Sequence, residues 1–156
     1  MLIGLAAVGV VGAGALIARA PVRLHPPRWE LLAAQPRVLQ LHIGAALAAL
    51  LIGTVILAGP KGRALHRTLG WAWVAAMATV AVSSFFIRAI NPGGFSYIHL
   101  LSGWTVISLP MAVAAARRRK LAWHRRAVTQ LFLGALIVAG AFTFLPGRLM
   151  WRVFLG

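Results

Sequence analysis

Apolar and polar stretches alternate regularly along this chain. Polar or basic connections separate five apolar segments, which cover residues 2–18, 38–58, 66–90, 97–116 and 125–145. The last four are each close to the roughly 20 residues that a helix needs to cross a bilayer. The pattern predicts an all-α integral membrane protein in which each apolar segment is a transmembrane helix.

Turn signals divide the last four segments into two helical hairpins. Gly and Pro residues at 59–60, 91–94 and 146–147 mark the ends of segments. The hairpins then cover 38–90 and 95–147. We predict a four-helix transmembrane bundle made of these two repeated hairpins, forming one domain with the rest of the chain.

Two further segments flank the predicted bundle. Residues 148–156 are expected to form a short interfacial tail. Segment 2–18 is either an N-terminal transmembrane helix or a signal peptide, since Ala18-Arg19-Ala20 resembles a cleavage site. No Lys or Arg precedes it, which favours a transmembrane helix, because signal peptides normally begin with a basic region.

Composition narrows the class of function. The chain is 61% hydrophobic and carries a net charge of +15, with Glu30 as its one acidic residue. The basic residues cluster between apolar segments, which predicts contact with anionic lipid headgroups and no binding of nucleic acid. Intramembrane carboxylates are the usual carriers of protons and cations, so their absence disfavours a pump or transporter. The lack of cysteine excludes disulfides and thiolate metal sites.

The basic turns also predict an orientation. Residues 61–67 and 117–126 are rich in Lys and Arg, and such short turns tend to stay in the cytoplasm. We therefore expect a multi-pass protein of the bacterial plasma membrane with both turns cytoplasmic. Four arginines in 19–37 oppose this orientation, so the charge bias is modest.

Four histidines repeat with the hairpins. The two histidines of each hairpin are 24 and 25 residues apart, and the second is followed by arginine. The histidines are His42 and His66 in the first hairpin, and His99 and His124 in the second, with Arg67 and Arg125 as the following arginines. By helix direction, the first histidines share one depth and the second histidines another. About 15 helical residues, or roughly 22 Å, separate the two depths.

Each depth therefore offers two imidazoles across the repeat axis. We call His66 and His124 the turn-side pair, and His42 and His99 the far-side pair. Zinc usually needs three or four protein ligands, which are not at hand. Two axial imidazoles suit a b-type haem, and helical bundles commonly hold such groups. We predict two haem b groups, with Arg67 and Arg125 neutralising propionates. Small residues would leave room for a porphyrin: Gly44, Ala45, Ala48, Gly70, Gly103 and Gly134.

The histidines also have a purely structural interpretation. The turn-side pair lies next to arginines, where amphipathic groups anchor helices at the membrane surface. The far-side pair could hydrogen-bond neighbouring helices without any ligand. The spacing alone leaves both interpretations open.

Several motifs resemble a known family. They are His66-Arg67-Thr68-Leu69-Gly70-Trp71-Ala72-Trp73, Ser83-Ser84-Phe85-Phe86-Ile87, Ile98-His99-Leu100-Leu101-Ser102, His124-Arg125-Arg126 and Phe144-Leu145-Pro146-Gly147-Arg148-Leu149-Met150. Over about 38–156 the chain resembles the small bacterial membrane proteins classed as domain of unknown function 2306. The resemblance implies a compact helical membrane protein, without an established activity. Trp151 stands where similar proteins would carry histidine, so no ligand is expected from the tail.

A looser, architectural resemblance is to the cytochrome b561 class of di-haem membrane proteins, by helix order and histidine depth alone. We therefore expect a di-haem b-type membrane cytochrome that carries electrons across or within the plasma membrane. Its expected partners are lipids and a quinone or redox protein. The alternative is an accessory or lipid-interacting subunit without cofactor. Either form could be a homo-oligomer or a subunit of a complex.

Overall fold

A computed structural model describes residues 25–87 and 97–156, and the regular structure within these ranges is entirely helical. The helices are α1 (Trp29–Ala33), α2 (Arg37–Ala58), α3 (Ala64–Ser84), α4 (Tyr97–Arg117), α5 (Leu121–Phe142) and α6 (Leu149–Phe154). Residues Leu131–Val138 of α5 have π-helical hydrogen bonding. The predicted helix over 2–18 and the turn at 91–94 lie outside the described residues.

Three helices are long and apolar enough to cross a membrane: α2, α5 and His99–Arg117 of α4. Helix α3 has a similar length of 21 residues, but its Trp, His, Arg and Ser residues make it less apolar. The all-α prediction and the presence of several candidate spans are thus confirmed for the described chain. The four-helix bundle built of repeats, with an added N-terminal helix, stays a prediction.

Residues Pro36–Ala139 form one compact unit. Within it, α2 and α4 each pack against both α3 and α5. The buried core lies between these helices and consists of Ala49, Trp73, Met77, Leu109, Leu131, Phe132 and Leu136. Gly53 permits the closest approach, since a Cβ there would lie 2.6 Å from Phe132 Cδ2 and 2.8 Å from Trp73 Nε1. Small residues let membrane helices approach in this way.

The predicted turns are shorter in the structure. Helix α3 begins at Ala64 and α5 at Leu121, so both turn-side histidines lie inside helices. The prediction that α5 begins near residue 125 was wrong, because arginine and lysine favour helix and do not mark a turn by themselves. Each connection contains one residue whose backbone is in the left-handed region: Gly62 with φ 79° and Arg119 with φ 58°.

Helix α3 ends at Ser84, earlier than the predicted residue 90. Ser83 and Ser84 both donate their hydroxyl groups to carbonyls of the preceding turn. The next backbone N–H groups bond three residues back, as in Phe85 N to Val82 O at 3.2 Å. Hydroxyls that compete for backbone carbonyls and tighter last-turn bonds are both features of helix ends.

A second compact unit contains residues 25–35 together with Gly140–Gly156. In it α1 and α6 meet: Arg28 N donates to Val153 O at 3.1 Å. The Trp29 ring stands edge-on to Phe154, with 5.9 Å between centroids. The region predicted as a tail therefore contains a short helix that packs on α1.

Candidate functional site

The turn-side histidines line one cavity within the Pro36–Ala139 unit. This central cavity has a volume of about 420 Å³, and its mostly apolar wall includes residues of α2, α3, α4 and α5. His66 from α3 and His124 from α5 both lie on the wall. Pockets that bind small molecules and cofactors are typically about 300–1,000 Å³. The cavity therefore has the size of a small-molecule site with two imidazoles.

The orientation of His124 is fixed by a hydrogen bond to the next helix. Its Nδ1 lies 2.9 Å from the carbonyl oxygen of Ala112 on α4. A carbonyl oxygen only accepts, so Nδ1 carries the hydrogen and donates it. In the neutral ring Nε2 then keeps a free lone pair, which is the tautomer that metal-ligating histidines commonly adopt.

Two buried nitrogens on the cavity wall have no hydrogen-bond partner among the described residues. They are Nδ1 of His66 and Nε1 of Trp73. Both side chains lie on the cavity face of α3, with Gly70 between them. A Cβ on Gly70 would meet nothing within 4 Å. A buried polar group left unpaired costs about 1–3 kcal/mol. The Trp73 nitrogen faces α2, since a Cβ on Gly53 would lie 2.8 Å from it.

Arginines also reach the central cavity. Arg67 and Arg117 both line it, and the guanidinium of Arg117 lies 5.6 Å from the centroid of the Trp71 ring. Arg125, which the sequence analysis selected, is exposed and does not line this cavity. Arg117 was missed because the rotation of α4 about its axis is not encoded in the spacing of the histidines.

The side chain of Lys61 is hydrogen-bonded to the end of a helix. Its Nζ donates to the carbonyl oxygens of Leu57 and Gly59, at the end of α2. Basic side chains often satisfy the last carbonyls of a helix in this way. Lys61 therefore stabilises the end of α2.

His42, of the far-side pair, also has a fixed tautomer. Its Nδ1 lies 2.9 Å from Ser83 Oγ, and that hydroxyl is 2.6 Å from the carbonyl oxygen of Thr79. The single hydroxyl hydrogen goes to the carbonyl, so Ser83 Oγ accepts from His42 Nδ1–H. Nε2 of the neutral His42 ring again keeps its lone pair.

His99 lies against the same end of α3. The residue is 7% exposed, and its ring centroid is 6.1 Å from that of Phe85. Nearby, the hydroxyl groups of Ser84 and of Ser102 on α4 are hydrogen-bonded to each other. The far-side histidines therefore approach the C-terminal end of α3 from two helices, His42 from α2 and His99 from α4. The buried polar residues of the described ranges gather on α3 and α4, and they are Ser83, Ser84, His99, Ser102 and Thr105.

Among residues 25–87 and 97–156, no group of three or more His, Asp or Glu side chains is placed to hold a metal ion. His66 and His124 line the central cavity together, whereas His42 and His99 each contact the C-terminal end of α3.

The model of one protein family, described as "Predicted membrane protein (DUF2306)", matches residues 39–154. The chain belongs to this family. The resemblance predicted from its sequence motifs is thus confirmed. No curated protein and no solved structure matches the sequence. The region matched to the DUF2306 family contains all four paired histidines and both cavity arginines, and the family description gives membrane location without an activity.

Proposed function

We propose that this DUF2306 protein is a b-type haem protein that carries electrons in the membrane. In this proposal the central cavity would hold one haem, and His66 and His124 would bind its iron. The observation that carries the proposal is that these two imidazoles, from different helices, line one apolar cavity.

The residues present fit such a group. His124 has its Nδ1–H bonded to Ala112 O, which leaves Nε2 for a metal. Gly70 leaves open space next to His66, in the middle of the wall. Arg67 and Arg117 supply positive charge for the two propionates of the haem. Haem bound here would supply a one-electron redox centre.

The protein's own groups would tune that centre. The hydrogen bond to Ala112 O holds the His124 ring in place and raises the basicity of Nε2. The apolar wall keeps water away and lowers the local dielectric, while the nearby guanidinium groups favour the less positive, reduced form. Ligation, second-sphere hydrogen bonds and burial are the main means by which proteins set haem potentials.

A second haem, in this proposal, would be held by His42 and His99. Support comes from the Ser83 hydroxyl, which fixes the His42 tautomer as Ala112 O fixes that of His124. Two haems at opposite ends of α3 would let electrons cross the bundle. We place the protein in the bacterial plasma membrane, with turns 61–67 and 117–126 cytoplasmic and a quinone or redox protein as partner.

Absorption spectroscopy of protein purified from haem-replete cells tests the proposal. We expect reduced b-type bands and about two haems per chain by pyridine haemochrome assay, as bis-imidazole sites require. His124→Ala should remove the turn-side haem, and His42→Ala the far-side one. The matched control is His25→Ala, since His25 belongs to the other compact unit and contacts Pro26 O and Gly156 O. Colourless wild-type protein would refute haem binding.

An accessory or lipid-interacting role is the second candidate. Lys61 already caps α2 and Arg67 donates to Gly62 O at 3.4 Å, as expected of side chains that only stabilise an interfacial turn. Large apolar side chains face outward, such as Leu51 at 68% exposure, and would contact lipid or a partner subunit. This role predicts colourless protein whose folding tolerates Ala at all four paired histidines.

A further inference from the structure

The connection between α4 and α5 carries positive charge that nothing in its own compact unit balances. We call its basic side chains the α4–α5 cluster; they are Arg118, Arg119, Lys120, Arg125 and Arg126. All five residues are exposed, and none of their side chains has a partner among the described residues. The chain's one acidic residue, Glu30, belongs to the other compact unit. The cluster is therefore free to meet an anionic partner.

The other basic turn, at 61–67, differs in this respect. Lys61 Nζ donates to the carbonyl oxygens of Leu57 and Gly59. Arg67 donates to a backbone carbonyl of the same turn and also lines the central cavity. The basic side chains of the first turn thus mostly contact the protein itself, whereas those of the α4–α5 cluster do not. The two turns were alike in sequence, and the structure separates their roles.

Arg119 occupies a backbone position that usually belongs to glycine. Its φ is 58°, and its N–H donates to Ala116 O at 3.1 Å. The next N–H, of Lys120, donates to Ala115 O at 2.9 Å. These two bonds close a helix C-terminus around a left-handed residue, for which glycine is favoured. The connection between α2 and α3 does use glycine, Gly62 with φ 79°. Arg119 therefore makes its turn less stable than glycine would, while it adds an exposed charge.

The α4–α5 cluster lies between two candidate membrane spans, His99–Arg117 and Leu121–Phe142. Only residues 118–120 connect these spans, so the connection stays close to the membrane surface. Beside the charges, Leu121 is 65% exposed and Trp123 is 43% exposed. Exposed apolar side chains next to basic ones are typical of a segment at the boundary between headgroups and acyl chains.

We propose that the α4–α5 cluster is a binding site for an anionic membrane phospholipid. The guanidinium groups of Arg118 and Arg119 donate to oxygens of the lipid phosphate, a group that arginine binds well. Leu121 and Trp123 contact the apolar part of the same lipid. An acidic protein or a free phosphate ion would use the charges alone and leave these apolar side chains in water. Binding of the lipid does not depend on haem and is compatible with either function proposed above.

Native mass spectrometry of the detergent-solubilised protein tests the proposal, with phosphatidylglycerol as the anionic probe and phosphatidylcholine as the zwitterionic one. The first phosphatidylglycerol molecule should bind more tightly than the first phosphatidylcholine molecule. The double variant Arg118→Gln/Arg119→Gln should weaken phosphatidylglycerol binding about tenfold or more. The matched control is Arg148→Gln/Arg152→Gln, which removes the same charge from two exposed residues of the other compact unit and should keep the wild-type affinity.

Arg119→Gly separates lipid binding from stability. Because glycine is favoured at this φ, the variant should unfold in lipid-free detergent at a Tm roughly 2–4 °C above the wild type, yet bind phosphatidylglycerol less tightly. Arg119→Lys keeps the charge and should keep most of the affinity. Leu121→Gln should weaken lipid binding without changing the net charge.

Three results would overturn the proposal. In the first, both double variants lose affinity equally, so that only net charge acts. In the second, the wild type does not distinguish the two lipids, which would leave an acidic protein as the partner of the cluster. In the third, excess inorganic phosphate displaces phosphatidylglycerol, which would make the cluster a site for the free ion. Colourless protein with the expected lipid preference would refute the haem proposal alone.

Discussion

The contact at Gly53 makes a quantitative prediction about how tightly the helices pack. In Gly53→Ala the new Cβ would lie 2.6 Å and 2.7 Å from two Phe132 ring carbons and 2.8 Å from Trp73 Nε1. Both rings are more than 90% buried, so neither can move without displacing the core. Overpacking of this kind typically costs about 1–3 kcal/mol.

Part of that cost is offset because alanine favours helix over glycine by about 1 kcal/mol. Contacts this short place the overpacking cost at about 2–3 kcal/mol, so we expect a net loss of about 1–2 kcal/mol. A chain of this size changes its Tm by roughly 2–4 °C per kcal/mol, so the midpoint should fall by about 2–8 °C. The Phe132 and Trp73 side chains both line the central cavity, so ligand binding should weaken in parallel.

Gly44→Ala is the matched control, because Gly44 lies on the same helix and a Cβ there meets nothing within 4 Å. Thermal unfolding in detergent, followed by circular dichroism at 222 nm, compares the two variants with the wild type. Gly44→Ala should unfold at the wild-type temperature or slightly above it. The packing argument fails if Gly53→Ala is as stable as Gly44→Ala.

Three further substitutions test the site. Ser83→Ala removes the acceptor of His42 Nδ1–H, and because His42 is only partly buried the loss of this bond should lower the free energy of unfolding by about 0.5–1.5 kcal/mol, measured with denaturant. Trp73→Phe removes an N–H that has no partner among the described residues, so haem-free protein should lose only the packing of the missing ring atoms, about 1–2 kcal/mol by the same assay. A bonded N–H would add about 1–3 kcal/mol to that loss. Arg117→Gln should lower the midpoint potential of the turn-side haem, because it removes a positive charge from the cavity wall, whereas Arg117→Lys should keep the potential near the wild-type value. If redox titrations give Arg117→Gln the wild-type potential, Arg117 does not lie near the haem.

The length of the apolar segments predicted α2 and α4 within a residue at each end. At Gly59-Pro60 the apolar segment and the helix both end, so the predicted end of α2 agrees with the structure. At the start of α5 they do not, because Arg125 and Arg126 interrupt the apolar pattern without interrupting the helix. The hydropathy pattern gives the bounds of an apolar segment, whereas backbone hydrogen bonding determines where the helix begins and ends.

The sequence predicted the depth of the histidines along their helices, but it did not predict how each helix is rotated about its own axis. Helix direction placed His66 and His124 at one level, and both line the central cavity. Whether a side chain faces inward depends on the turn of each helix about its axis, which packing contacts such as that at Gly53 determine. For this reason Arg117 and Trp73 emerged only from the structure, and the ligand role of the histidines stays a prediction.

The π-helical stretch Leu131–Val138 has a consequence for how the length of α5 can vary. Bonds from residue i to i+5 accommodate more residues in each turn than an α-helix does. A one-residue deletion inside this stretch can therefore be absorbed by a change from π to α hydrogen bonding, with little displacement of His124 on one side. A variant of this chain that lacks one residue here should therefore still present His124 as the wild type does.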